Sequence, residues 1–195
     1  MIETSVELDE KALSRALTVL NAFGERGGRA VTRSVNRALT AIKTVAGKAA
    51  REQFTIRTVK DIKSSLRVSR AAVSGDVIEG RVESRGLAIS GSHFKYKPRT
   101  MDPAQNKPGK RRLELEALKG APQTVERGFV WNSRLYRRVG RKRLPIATVA
   151  GPSAPEMLSN EKVQQRMQAR GAQVLDERLK HEIEALSQGY VRERK

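Results

Sequence analysis

Cysteine is absent from this 195-residue chain, which excludes disulfides, thiolate metal sites and cysteine nucleophiles. A chain without thiols fits a reducing cytosol. Only two histidines are present, and aromatic residues make up 4% of the sequence. Long apolar runs are missing as well, so nothing approaches the length needed to span a bilayer. The first residues, Met1-Ile2-Glu3-Thr4, lack the basic-then-apolar pattern of a signal peptide. The expectation is a soluble protein made in the cytoplasm. The hydrophobic share, 38%, is below that of an ordinary globular domain, and mean hydropathy is −0.55. Such a chain is long enough for one domain with a real core, yet it buries modestly and completes itself against partners.

Positive charge is what the chain has in excess. Lys and Arg number 39 against 21 Asp and Glu, for a net charge of +18. Most of the excess lies between Arg85 and Arg143, while both ends nearly balance. A lopsided field of this size attracts polyanions by counterion release and repels other copies of the chain. Nucleic acid and an acidic protein surface are the two partner classes it implies.

The pattern of apolar residues predicts an α+β fold. Asp9 reads as an N-cap, with Leu8 and Leu13 at staple spacing. Leu13, Ala16, Leu17, Leu20 and Phe23 then recur at helical spacing up to Gly24. Gly24 to Gly28 read as a flexible turn. A second helix from about Ala30 to Gln53, ~36 Å long at 1.5 Å per residue, carries Val31, Val35, Ala38, Ile42, Val45, Ala46 and Ala49 on one face. That Ala-rich face allows close approach of another helix, in this chain or in a copy. A short helix from Thr58 follows, with Asp61 completing a weak capping box.

The period then changes. Leu66 to Val73 and Val77 to Glu83, separated by Ser74-Gly75-Asp76, read as a hairpin, and Leu87 to Ser90 add a further strand. Prolines and charges make the stretch from Lys95 to Gln123 a mostly extended basic loop, with a short strand at Leu113-Glu114-Leu115-Glu116. Phe129-Val130-Trp131 and Leu135-Tyr136-Arg137 flank Asn132-Ser133-Arg134 as a second hairpin, and Pro145 to Val149 form the last strand. Gly151-Pro152 and Pro155 break the chain before a final helix from about Ser159 to Gln188, which Gly171 weakens by ~1 kcal/mol relative to Ala. Along it Val163, Met167, Val174, Leu179, Ile183 and Leu186 recur. Val35, Ala38, Ile42, Ala46, Val174 and Leu179 are the candidate subunit-packing residues. No internal repeat is evident, and the whole chain, 1–195, reads as a single domain.

Catalytic chemistry finds little support. His93 stands at a strand end, and His181 shares a helix face with Glu177, a spacing that a surface ion pair explains as well as a metal site does. No Gly-x-Ser-x-Gly elbow is present. The glycine-rich Gly24 to Arg29 lacks the Lys-Ser/Thr of a P-loop. No catalytic residue, metal ligand or cofactor is assigned.

The candidate polyanion contacts are Lys110, Arg111, Arg112, Arg134, Arg137, Arg138, Arg141, Lys142 and Arg143. Arg and Lys in loops pair with phosphates without reading sequence. The structural alternative is that they are strand edges kept positive to block sheet-to-sheet pairing. Their density as a group favours the polyanion-facing reading. Tyr96, Trp131 and Tyr136 are too few and too core-like for base stacking, and Trp131 with Phe129 is expected on a core-facing side of the sheet. Without a helix-turn-helix or zinc-finger signature, sequence-specific DNA reading is not expected.

Several strings resemble the minor tail protein Z family of long-tailed bacteriophages and prophages. They are Val35-Asn36-Arg37-Ala38-Leu39, the run from Ile62 to Ala71, the run from Arg137 to Ile146 and Gly151-Pro152-Ser153-Ala154-Pro155. A long C-terminal helix rich in Arg and Glu completes the pattern. The resemblance implies a structural, non-enzymatic virion protein. It would act late in assembly, completing the head-proximal end of the tail so that it joins the head. Related tail-completion proteins are α+β and form six-fold rings around the tail lumen. The implied partners are copies of itself in a hexamer ring and tail, terminator, tape-measure or connector proteins. The end of the genome DNA is a further implied partner. The rival readings are a free, sequence-independent nucleic-acid-binding protein and a transient tail-assembly chaperone.

Overall fold

The computed structural model describes residues 2–6, 10–74, 77–99 and 112–188. Helix α1 (Glu10–Gln53) is broken at Gly24, where φ is 54° and ψ −135°. Glycine reaches that φ without a Cβ clash, so the chain reorients there at one residue. The two expected helices therefore meet at a kink. The turn expected up to Gly28 does not exist, because helical geometry resumes at once and Gly27 and Gly28 are buried within it. The expected N-cap, Asp9, and Leu8 of the staple lie outside the described residues.

Beyond the kink, Ala30, Val31, Val35, Ala38, Leu39, Ile42, Ala46, Ala49 and Ala50 are almost fully buried, a stripe at the spacing that lays one helix face on a core. Helix α4 (Glu161–Ser187) packs along it, burying Val163, Met167, Val174, Leu175 and Leu179. Two ion pairs mark the ends of this contact. Arg33 grips Glu182 with both Nε, at 3.1 Å, and Nη2, while Arg166 pairs with Glu52. Position rises along α1 from 33 to 52 as it falls along α4 from 182 to 166, so the helices are antiparallel. The hydrogen bonds from Arg33 to Glu182 raise the guanidinium above its ordinary value. Helix α4 runs unbroken through the buried Gly171, since packing against α1 outweighs a propensity cost of ~1 kcal/mol.

The expected subunit-packing residues lie along this pairing within the chain. Val35, Ala38, Ile42, Ala46, Val174 and Leu179 are at most 7% exposed within the single chain. Within the chain Val35, Ala38, Ile42, Ala46 and Leu179 belong to the core, and Val174 borders a groove lined by both helices.

Under α1 lies an antiparallel sheet in the order β1-β3-β2, from β1 (Ile2–Val6), β2 (Leu66–Ser74) and β3 (Val77–Gly86). The β2–β3 hairpin matches expectation, with Gly75 and Asp76 of its turn outside the described residues; β1 was not anticipated. At Gly80 a Cβ would come within 2.8 Å of Leu39 Cδ1, so the helix sits directly on the strand. The β2–β3 register shifts between Ser69 and Ala72. The amide of Ala71, freed from the ladder there, donates instead to Asn36 Oδ1 on α1 at 2.9 Å. A bulge needs such a partner, because an unpaired buried amide is costly.

Helix α2 (Lys60–Ser65) starts later than expected, with Val59 at the N-cap and no side-chain cap. Thr58 does not cap it, and Asp61 is engaged elsewhere, by His93. The remaining strands are β4 (Ala88–Ser90), β5 (Lys95–Lys97), β6 (Leu113–Glu116), β7 (Gln123–Val125), β8 (Gly128–Trp131), β9 (Arg134–Arg138), β10 (Ile146–Thr148) and β11 (Ala150–Ser153). They form sheets in the orders β5-β6-β7, β10-β9-β8 and β11-β4. The expected basic loop thus begins and ends in strands, and residues 100–111 within it are outside the described set. Gly151-Pro152 does not break the chain. Both residues belong to β11, whose pairing with β4 is irregular between Ala150 and Ser153, the setting in which a strand tolerates proline. Ser153 then caps helix α3 (Ala154–Leu158), unforeseen in sequence, in a capping box with Glu156.

The segment after α1 ties the sheets to the helices. Thr55 Oγ1 donates to the Glu116 carbonyl and accepts from the Lys95 amide. Glu116 itself clasps Lys95 Nζ at 2.6 Å and accepts the Gly120 amide at 3.0 Å. The Lys95 hydrogen bond, followed by the Gly120 amide, lowers its carboxyl pKa.

Two outcomes follow from these contacts. Asn36→Ala leaves the Ala71 amide without an acceptor and should destabilise the protein by about 1–3 kcal/mol, whereas Asn36→Asp, which keeps the acceptor, should lose less; urea melts of both variants measure it. Because the Glu116 pKa is lowered on folding, its contribution is present above the unfolded carboxylate value and is lost as pH falls through the folded one. Glu116→Gln should therefore melt lower than the parent at neutral pH and converge with it in acid, as seen by thermal melts across the acid range.

Candidate functional site

Strands β8, β9 and β10 form the surface on which the sequence-predicted cations gather. The inner side of this sheet is anchored by Val130 and Leu135, both buried. A Cβ on Gly128 would lie 2.7 Å from Leu113 Cδ2, and one on Gly91 3.0 Å from Leu135 Cδ1, so the sheet is pressed close onto its neighbours. Asn132 and Ser133 join β8 to β9 with φ of 47° and 58°, the two positive values of a type I′ hairpin turn. This turn sets the register Trp131↔Arg134, Val130↔Leu135, Phe129↔Tyr136 and Gly128↔Arg137.

Alternation then decides the outer side. With Val130 and Leu135 inward, Phe129, Trp131, Arg134, Tyr136 and Arg138 face outward, joined from β10 by Ile146 and Thr148, which pair with Arg138 and Tyr136. Trp131 is 55% exposed, and Phe129 and Tyr136 are half-buried. The expected core role of Trp131 is thereby corrected: the inner side of β8 is filled by Gly128 and Val130. Phe129 and Tyr136 stack with centroids 5.8 Å apart, and Trp131 leans on Tyr136 at 6.0 Å. The Arg138 guanidinium lies 5.8 Å from the Phe129 centroid, and its Nε is buried without a hydrogen-bond partner. Tyr96, by contrast, is buried as expected, under Arg57.

Arg134, Arg137 and Arg138 lie on β9, and Arg141, Lys142 and Arg143 in the exposed β9–β10 connection. None of the six forms an ion pair among the described residues. From Arg127 to Pro155 the sequence has seven cations and no carboxylate. Edge protection does not account for Arg134, Arg137 and Arg138, because β9 is the central strand of its sheet. Arg112 is exposed just before β6, which belongs to a different sheet. Lys110 and Arg111 are outside the described residues.

A second cationic surface was not foreseen. Between α1 and α4 a groove of about 510 Å³ is lined by Arg37, Lys48, Arg170 and Arg178 together with Glu177. No run of charge marks it in the sequence, because its residues come from two helices more than a hundred positions apart. Glu177 accepts a hydrogen bond from Gln173 at 2.9 Å, and among the described residues no three His, Cys, Asp or Glu side chains gather as a metal site would require. His93 Nδ1 meets Asp61 at 2.7 Å beside a shallow pocket near Ser64, Ser90 and Arg85. The contact ties α2 to the 3₁₀ turn Gly91–His93, which is a structural use of both side chains. Among the described residues no helix is long and apolar enough to cross a membrane.

The exposure of Trp131, the only tryptophan in the chain, has a direct spectroscopic consequence. Acrylamide should quench the folded protein's tryptophan emission nearly as efficiently as that of the urea-unfolded chain. Trp131→Ala should shift the melting temperature by no more than the ~1–2 °C that a surface change of about 0.5 kcal/mol produces.

Neither the curated proteins nor the solved structures contain a match to this chain. A family profile does match: that of prophage minor tail protein Z (GPZ), over residues 11–191. This span takes in the α1–α4 seam, all four sheets apart from β1, and the aromatic and basic face alike. The chain belongs to the prophage minor tail protein Z family.

Proposed function

We propose that this phage tail protein completes the head-proximal end of the tail as an oligomeric, six-fold ring at the neck, without catalysing a reaction. In this reading the cations of β9 and of the β9–β10 connection face DNA or an acidic neighbouring protein. The observation that carries it is the stretch from Arg127 to Pro155, with seven cations and no carboxylate, and no ion pair among the described residues at any of the six from Arg134 to Arg143. A folded chain that leaves so much like charge unpaired along one strand and its connection gains by meeting a polyanion, and a ring multiplies the field by its copy number. Family membership supplies the tail; the ring, the neck and the polyanion are the proposal.

The α1–α4 seam is filled within the protomer, so the surfaces left for neighbouring subunits are others. Leu87, between β3 and β4, and Val139 and Leu144, both in the β9–β10 connection, are exposed apolar side chains, at 80%, 61% and 66%. A free nucleic-acid binder and a transient assembly chaperone remain the rivals. Quantitative mass spectrometry of purified, salt-washed particles, scaled to a tail component of known number, separates them. The ring reading expects about six copies per particle, the six-fold stoichiometry of a closed cyclic assembly. Absence from washed particles would leave one of the rivals in its place.

A further inference from the structure

The outer face of β8, β9 and β10 combines two kinds of group, and the combination is more selective than charge. Exposed rings are expensive to leave in water in a chain with so few of them. Here Trp131 stands open, with Tyr136 and Phe129 beside it. Arg134 is directly across the ladder from Trp131. Arg138 lies at the other end of β9, about 13 Å away at the strand rise of about 3.3 Å per residue, and the Arg141-Lys142-Arg143 connection continues past it. The face is thus a row of rings with guanidinium groups at both ends.

Duplex DNA has no use for such rings, because its bases are stacked inside the helix and show only their edges in the grooves. An acidic protein surface would satisfy the arginines but set carboxylates against ring faces, whose π-electron density is negative. A single strand satisfies both halves. Its phosphates pair with the cations, and its unstacked bases lie flat on the rings. We propose that the outer face of β8–β10 is a stacking platform for single-stranded nucleic acid, with Trp131 as the principal stacking side chain and Arg134, Arg138, Arg141 and Arg143 holding the backbone. This rests on the reading that the basic face meets nucleic acid, and it names the form of nucleic acid.

The test uses the full chain and three probes: a fluorescein-labelled oligothymidylate, the same strand paired with oligoadenylate, and polyglutamate. The single strand should quench Trp131 emission and bind at least about tenfold more tightly than the duplex, as expected when a stacked base contributes about 1–3 kcal/mol. By anisotropy, Trp131→Ala should lose about tenfold or more for the single strand while keeping its salt dependence. Trp131→Phe should recover most of that loss, and unchanged melts of both variants establish that they fold. Arg141→Ala with Arg143→Ala should instead flatten the salt dependence, by about 0.7 per phosphate contact on a single strand. Duplex binding equal to or tighter than single-strand binding, insensitive to Trp131→Ala, would overturn the platform and leave a phosphate-binding surface. Binding of polyglutamate alone would overturn the nucleic-acid reading as well, so the two failures are told apart.

Discussion

Everything in this molecule is built on the apolar stripe of α1 between Ala30 and Ala50. Helix α4 covers one side of it, and the β2–β3 hairpin lies against another. The close fit at Gly80 and the Asn36–Ala71 hydrogen bond are local consequences of that contact. Alanine is abundant in the stripe, so helix and partners approach closely and dispersion contacts are dense. This is how a chain with a low apolar fraction assembles a core: it buries small side chains efficiently. The core continues through Phe94, Leu113, Leu115 and Leu135 into the sheet half, which anchors β9 although it lies far along the chain from α1.

The two halves treat charge differently. In the helical half, long-range ion pairs join α1 to α4 at Arg33–Glu182 and Glu52–Arg166, and Lys180 pairs with Asp176 within α4. Each is at least partly exposed and contributes little to stability by itself, but together they register one helix on the other. Along β9 and the connection after it there are cations and no acids nearby in sequence. The fold of this region depends on Val130, Leu135 and the Asn132–Ser133 turn, and the outward arginines add self-repulsion. Such an arrangement is stable only because the inner side of the sheet is anchored so firmly, and it leaves the outer side available to a partner.

Much of the architecture was legible in the sequence because it follows from short-range periodicity. The helical stripe of α1, the break at Gly24, both hairpins, the Leu113–Glu116 strand and the long terminal helix all have local patterns. The capping box Ser153-Ala154-Pro155-Glu156 was not read, because the prolines around it suggest a simple break. Strand β1 was not, since five residues with mixed polarity carry no period-two signal strong enough to distinguish them from a loop. The same limit applies to Thr58, whose spacing to Asp61 imitates a cap that the chain does not use.

Residue types and their order by themselves determined the charge asymmetry, the absence of thiol chemistry, the α+β class and the run of arginines ending at Arg143. Tertiary structure decided which way those groups face. Whether Val35 and Leu179 serve this chain or a copy depends on how α1 and α4 meet, and periodicity is the same in either case. Whether Trp131 lies in the core or in water depends on which side of β8 is pressed inward, and alternation defines two sides without ranking them. The cross-strand pairing of Trp131 with Arg134 breaks that tie, because an arginine with no acidic partner stays in solvent and takes the ring opposite with it. That pairing is a property of the folded hairpin, and so the surface that matters most here became readable only once the strands were in register.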